Sequence, residues 1–166
     1  MGGQLQFFWV AKLDLLKWSL FHRCTEMGSC VTIGFASFEE IRLLQQKLMA
    51  DPDKSIGSVT WQSGPNDSLG ENVFIIHSDR EIAGFCTYRA VPAEIFPLVV
   101  FSPFRRKGVG REAMKQFISL LKKEGVEEIM IDIVDGAESF WQSVFTGFAV
   151  RHHCDRKYFV ALSSLI

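Results

Sequence analysis

Leu98-Val-Val-Phe-Ser-Pro-Phe-Arg-Arg-Lys-Gly-Val-Gly-Arg-Glu-Ala-Met114 decides how this chain is read: an apolar run, a basic loop holding two glycines, and the opening of a helix. A helix leaves its first four amide N–H groups without internal partners and carries the positive end of its dipole there, so anions bind at such an end. Gly108 and Gly110 lack the Cβ atoms that would keep a diphosphate off the main chain, and Arg105, Arg106, Lys107 and Arg111 surround that approach with positive charge. The pattern is Arg-x-x-Gly-x-Gly. Behind it Val109, Ala113, Phe117 and Leu121 recur every fourth residue with Met114, Ile118 and Leu120 beside them, which predicts a helix with one apolar face turned inward. The loop is thereby seated on a rigid element.

The same letters fit a second motif. Gly108-x-Gly110-x-x-Ala113 satisfies the dinucleotide-binding fingerprint, with Asp132 or Asp135 at a plausible ribose-binding distance. In that motif the first glycine follows almost directly on the strand, whereas here Ser102 to Lys107 intervene, and only a short tail follows Asp135. Both features favour an anion loop of another kind.

With 166 residues, 48% hydrophobic and 22% charged, the composition is that of one globular domain, expected to span 1–166. The formal net charge of -1 gives no bulk attraction to nucleic acid or to an anionic membrane, so the basic cluster near Arg106 is local and its ligand is expected to be a small anion. Cys24, Cys30, Cys86 and Cys154 form no Cys-x-x-Cys pair and no cleavable signal is evident, from which a cytoplasmic location is expected. His22, Cys24 and Cys30 lack the spacing of a metal site, so no metal is expected.

Residues 5–21 are the most apolar stretch, but Lys12, Asp14 and Lys17 interrupt them, so a membrane span is not expected; an opening strand, a docked helix or a homodimer contact all fit. Residues 1–36 are the least defined part. Cys30 to Phe35 reads as a strand, and Ser37-Phe-Glu-Glu40 is a capping box ahead of an amphipathic run to Met49. Residues 55–69, rich in Gly, Ser, Asn and Asp around Trp61, suit a loop walling a substrate site. Asn72 to His77 and Glu81 to Arg89 flank Ser78-Asp79-Arg80 as a hairpin, and Glu94 to Phe101 is a strand in which Pro97 demands an edge or a bulge. Glu128 to Val134 reads as a buried strand, Gly136 to Phe145 as a helix, and Gly147 to Arg151 with Tyr158 to Leu162 as a closing pair. The order is mixed α/β.

Val100-x-Ser102, then Arg105-Arg-Lys-Gly108-Val-Gly110, a helix, the strand from Glu128, and Ala137-x-x-Phe140-Trp141 leading to Gly147-Phe148 together resemble the GNAT superfamily of acyl-CoA-dependent N-acyltransferases, over roughly residues 72–162. The resemblance implies a strongly twisted mixed sheet, flanked by helices, whose central parallel strands splay apart to admit acyl-CoA. It implies that the backbone of Leu98, Val99 and Val100 pairs with the pantetheine arm, that amides from Arg106 through Val109 to Gly110 hold the pyrophosphate with Arg105, Lys107 and Arg111 around it, and that Phe140 and Trp141 lie nearest the thioester. Two departures stand out. Ser102 occupies a place where many members carry Pro, and Trp141 one where a tyrosine usually protonates the departing thiolate. Of the two tyrosines, Tyr88 and Tyr158, Tyr158 is the better substitute as general acid, and Glu94 stands upstream of the loop at about the distance of the base glutamate in the histone-acetyltransferase branch. The implied function is transfer of an acetyl group from acetyl-CoA to a primary amine, on a small molecule or a peptide, without metal, nucleic acid or membrane. A fold that binds acyl-CoA without turnover, a dinucleotide-binding protein, and a small partner-binding domain using the apolar N-terminus remain alternatives.

Overall fold

Period-two patterning from Asn72 onward and the 3.6-residue patterning behind Gly108 produce, in the computed structural model, one mixed sheet with helices on both faces. The structure describes residues 23–24, 30–52 and 71–163. Residues 5–21 and 55–69, for which a core or dimer contact and a substrate-site wall are expected, lie outside the described residues.

The described strands are β1 (Arg23–Cys24), β2 (Cys30–Phe35), β3 (Glu71–Ser78), β4 (Glu81–Arg89), β5 (Glu94–Val100), β6 (Glu128–Asp132), β7 (Ala149–Cys154) and β8 (Lys157–Ala161). They lie in the order β1-β2-β3-β4-β5-β6-β8-β7. Only β5 and β6 are parallel, and the other neighbouring pairs are antiparallel. Between β2 and β3 runs α1 (Phe38–Ala50), between β5 and β6 runs α2 (Val109–Lys123), and between β6 and β7 runs α3 (Glu138–Val144).

Local chemistry sets the boundaries. Ser37 and Glu40 complete the capping box of α1, the Ser37 N–H donating to Glu40 Oε2 at 2.7 Å and the Glu40 N–H to Ser37 Oγ at 3.3 Å. Asp51 ends it, followed by Pro52, which disfavours a helical residue before it. Asp79 and Arg80 both take positive φ, 52° and 71°, as a two-residue hairpin turn requires. The Pro97 expectation is met by a bulge: Cys86 faces Leu98 and Tyr88 faces Ile95, so Phe96 and Pro97 together oppose Thr87.

Two apolar layers result. One joins Phe117, Met114, Ala113 and Leu121 of α2 with Trp141, Val144 and Phe145 near α3 to Phe74, Cys86, Ile95, Ile129, Ile131 and Val160 of the sheet. The other joins Ile41 and Leu44 of α1 to Val73, Ile75, Phe85 and Val99. Burying a side chain such as Phe117 or Leu44 contributes about 1.5–3 kcal/mol, so each helix is held chiefly by its inward face. Among the described residues, no helix is long and apolar enough to cross a membrane.

Candidate active site

β5 and β6 are neighbours only at Glu94↔Met130 and Ile95↔Ile131. Beyond that point β5 stays with β4 through Val100, while β6 goes on with β8. The central strands therefore part, and the edge of β5 from Leu98 to Val100 opens onto a gap. The Phe101 N–H donates to the Ala83 carbonyl of β4 at 2.9 Å, so the Val100 carbonyl of the same peptide unit points the other way, into that gap. Arg105 Nε donates to it at 2.7 Å. One residue of the basic loop thus lies across the free strand edge.

The loop itself is a 3-10 turn, Ser102–Phe104, and a tight bend in which Arg106 (φ 59°) and Gly108 (φ 77°) are left-handed. Glycine suits that conformation at Gly108, the N-cap of α2, and nothing lies within 4 Å of where its Cβ would stand. The first bond into the helix from this turn is Glu112 N–H to the Gly108 carbonyl, at 3.0 Å, so the N–H groups of Val109, Gly110 and Arg111 precede it. Arg105, Arg106, Lys107, Gly108 and Arg111 are exposed, whereas Val109 and Gly110 are buried. An open cradle of amides ringed by cations fits a pyrophosphate.

Gly110 has a different task from Gly108. A Cβ there would come within 3.1 Å of Val100 Cγ2 and 3.2 Å of Phe140 Cε2, so its bareness lets β5, α2 and α3 converge. Phe140 therefore borders the loop. Trp141 turns inward, stacked on Phe145 with centroids 5.4 Å apart and an interplanar angle of 4°, and edge-on to Phe140 at 5.1 Å. Beneath it is an apolar cavity of about 330 Å³ lined by Ile131, Ile133, Phe145, Val150 and Tyr158 among others. Tyr158 is half-buried there, opposite Ile131, the last β6 residue paired with β5.

Glu94 is on the other face. Lys157 and Tyr158 are neighbours on β8 and so project to opposite sides; Lys157 Nζ donates to Glu94 Oε1 at 2.9 Å. Arg89 Nη1 donates to Glu94 Oε2 at 3.4 Å. Glu94 is 8% exposed and lines a pocket of about 170 Å³ with Thr87, Arg89, Phe96 and Lys157. The hydrogen bond to Glu94 is the main reason the Lys157 ammonium is held above the ordinary lysine range. Thr87 is 6% exposed, and among the described residues its Oγ1 has no hydrogen-bond partner. Glu94 and Tyr158, expected as base and acid, thus approach the parting strands from opposite faces. Arg89, Lys157 and Thr87 were not foreseen: Arg89 stands five residues from Glu94 across a turn, but Lys157 is 63 residues away and reaches it only through the β6-β8 pairing.

Parted parallel strands beside an anion-binding helix start form the architecture of acyl-CoA-dependent N-acyltransferases. The family described as Acetyltransferase (GNAT) family matches residues 35–145, and the chain belongs to it. The dinucleotide reading gives way, since β6 is followed in the sheet by antiparallel β8 rather than by further parallel strands. No curated protein matches the chain. Solved structures share the fold. The PaiA N-acetyltransferase of Thermoplasma acidophilum, in complex with coenzyme A, is 14% identical with a TM-score of 0.58 over 78% of this chain and 96% of its own. The microcin C7 self-immunity acetyltransferase MccE, in complex with acetyl-CoA and AMP, is 18% identical with a TM-score of 0.59 over 78% and 90%. The Escherichia coli ribosomal-protein-S18-alanine N-acetyltransferase is 18% identical with a TM-score of 0.54 over 78% and 90%.

Proposed function

We propose that the protein transfers an acetyl group from acetyl-CoA to a primary amine by direct attack. The observation that carries this reading is the separation of β5 from β6 immediately beside the left-handed Gly108 turn, a slot and an anion cradle in one place. Acetyl-CoA supplies the activated acyl group as a thioester.

In this reading the free edge of β5 at Leu98, Val99 and Val100 receives the pantetheine arm as an added strand would. The N–H groups from Gly108 through Val109 and Gly110 take the pyrophosphate, with Arg105, Arg106, Lys107 and Arg111 adding charge-assisted bonds of about 1.5–3 kcal/mol each. Phe140 and Trp141 exclude water around the reacting carbon. The amine's C–N bond forms as the C–S bond breaks, and the thiolate leaves with the electron pair.

Glu94 takes the proton that the amine must lose. An amine of pKa about 10.4 is neutral in only about one molecule in 2,500 at pH 7, an unfavourable term of roughly 4–5 kcal/mol. The leaving thiolate gains its proton from the Tyr158 hydroxyl or from water, because Trp141 has no acidic hydroxyl to give and a thiol of pKa about 8.5 leaves readily.

Thermal unfolding with acetyl-CoA, with NAD as control, tests the first half. At a hundredfold excess over its Kd the ligand stabilises by about 2.7 kcal/mol, and NAD leaves the transition unmoved. Release of free CoA with an amine panel tests the second. Binding without release over a broad panel would instead identify a non-catalytic acyl-CoA-binding protein.

A further inference from the structure

We infer that the pocket formed by Thr87, Arg89, Glu94, Phe96 and Lys157 selects an acceptor of the α-amino acid type, a small amine carrying a carboxylate next to its amino group; this rests on the acyltransferase reading above.

The pocket holds an ion pair in which one carboxylate, Glu94, already engages two cations, Lys157 on one oxygen and Arg89 on the other. A simple ammonium arriving at Glu94 competes there with two cations that already hold both of its oxygens, and brings nothing that attracts those cations in turn. A zwitterion meets both signs at once: its ammonium takes the Glu94 oxygen that Lys157 gives up, and its carboxylate takes Lys157. No net charge enters the pocket. Asp132, the other acid whose field reaches Lys157, lies 3.3 Å from Arg156 through its own Oδ1.

Thr87 supplies the second observation. Thr87 lines the same pocket, and among the described residues its buried hydroxyl has no hydrogen-bond partner, a state that an ordered water, a small shift or a bound group would correct. A hydroxyl beside two cations can donate to a carboxylate. Size agrees: about 170 Å³ corresponds to the liquid volume of about six waters, enough for a small amino acid. Phe96, in the β5 bulge opposite Thr87, puts the pocket next to the point where β5 parts from β6.

The test uses the full chain with saturating acetyl-CoA and follows CoA release with glycine, alanine and serine, with their amides, and with ethylamine, compared at equal concentrations of unprotonated amine. The expected result is a kcat/KM for the acids on the order of 10²-fold above the amides and ethylamine, as a site built for a polar group rejects the analogue lacking it. In Lys157→Met this ratio collapses toward one, and Lys157→Arg restores part of it. Equal rates for acids and amides in the wild type would overturn the inference and leave the acyltransferase reading standing. No release with any of these amines, while acetyl-CoA still shifts the unfolding transition, also overturns it. Failure of acetyl-CoA itself to bind would remove both.

Discussion

Asp51, the buried residue that ends α1, accepts two hydrogen bonds from Ser102 at the head of the basic loop, from the backbone N–H at 3.1 Å and from the hydroxyl at 2.8 Å. This gives a physical reason for serine where a proline is common in similar sequences, because proline could offer neither donor. The contact ties a helix on one face of the sheet to the loop that serves the other. Removing it leaves a buried carboxylate short of two donors. Ser102→Pro is therefore expected to lower stability by about 1.5–3 kcal/mol and to weaken acetyl-CoA binding, while Ser102→Ala, which keeps the N–H, loses about half as much. Urea unfolding of the two variants checks the order, and a proline variant as stable as the wild type would show that the clasp carries no weight.

Gly108 and Gly110 make separable predictions. At Gly108 the space is open but φ is 77°, so Gly108→Val meets no neighbour and instead strains the turn by about 1–2 kcal/mol, re-aiming the amides. Acetyl-CoA binding should fall at least tenfold while the rest of the fold persists. Gly108→Asn, which tolerates the left-handed region better, should retain more binding. At Gly110 the new atoms would press on Val100 and Phe140, so Gly110→Val should lower the unfolding midpoint as well as the affinity. Thermal unfolding with and without acetyl-CoA separates the two patterns.

His77 on β3 faces Glu40 of α1 at 3.5 Å. Burial holds its imidazole below the usual histidine range, and the Glu40 carboxylate pulls only partly the other way. The folded state therefore prefers the neutral ring, and the unfolded chain takes up the proton first. Between the ordinary histidine value near 6.5 and the lower folded value, the unfolded state binds more protons, so stability falls as pH falls through that window. The contribution is complete above it. Urea midpoints at pH 7.5 and 5.5 should differ less in His77→Gln than in the wild type, and an unchanged difference would assign the pH dependence elsewhere.

Most of this architecture was legible from nearby residues. The capping box at Ser37 and Glu40, the Asp79-Arg80 turn, the bulge at Pro97 and the apolar face of α2 each depend on neighbours a few positions away, where period and turn chemistry speak directly. What could not be read depends on partners brought together by the sheet. Asp51 and Ser102 are 51 positions apart, and Glu94 and Lys157 are 63 apart. The order β6-β8-β7 puts Lys157 beside Asp132 and within reach of Glu94, and no local pattern encodes that crossing. Gly110 was legible as a glycine of an anion loop, but its contact with Phe140 needed the docking of α3. The buried Thr87 hydroxyl, without a partner among the described residues, had no sequence signal at all, since a threonine in a strand is ordinary.

Glu94 carries the most decisive prediction. It is buried, lines a pocket and stands where β5 is still paired to β6, just before the strands part, and in the proposed reading an amine in that pocket meets Glu94 as its base. Lys157 and Arg89 hold the two oxygens in fixed positions before the amine arrives. Such preorganisation aligns the acceptor oxygen, and one partner must move aside for the proton to be taken. Glu94→Gln keeps the shape and removes the proton acceptor. It should leave acetyl-CoA binding unchanged and lower turnover by a factor on the order of 10²–10⁴. The deficit should shrink as pH rises, because the amine then arrives already neutral. Two cations left without their carboxylate will also cost stability, so urea unfolding of the variant must accompany the kinetics, with rates measured where it is fully folded. A folded Glu94→Gln protein with wild-type turnover from neutral to alkaline pH would remove Glu94 from the mechanism and return the proton to water.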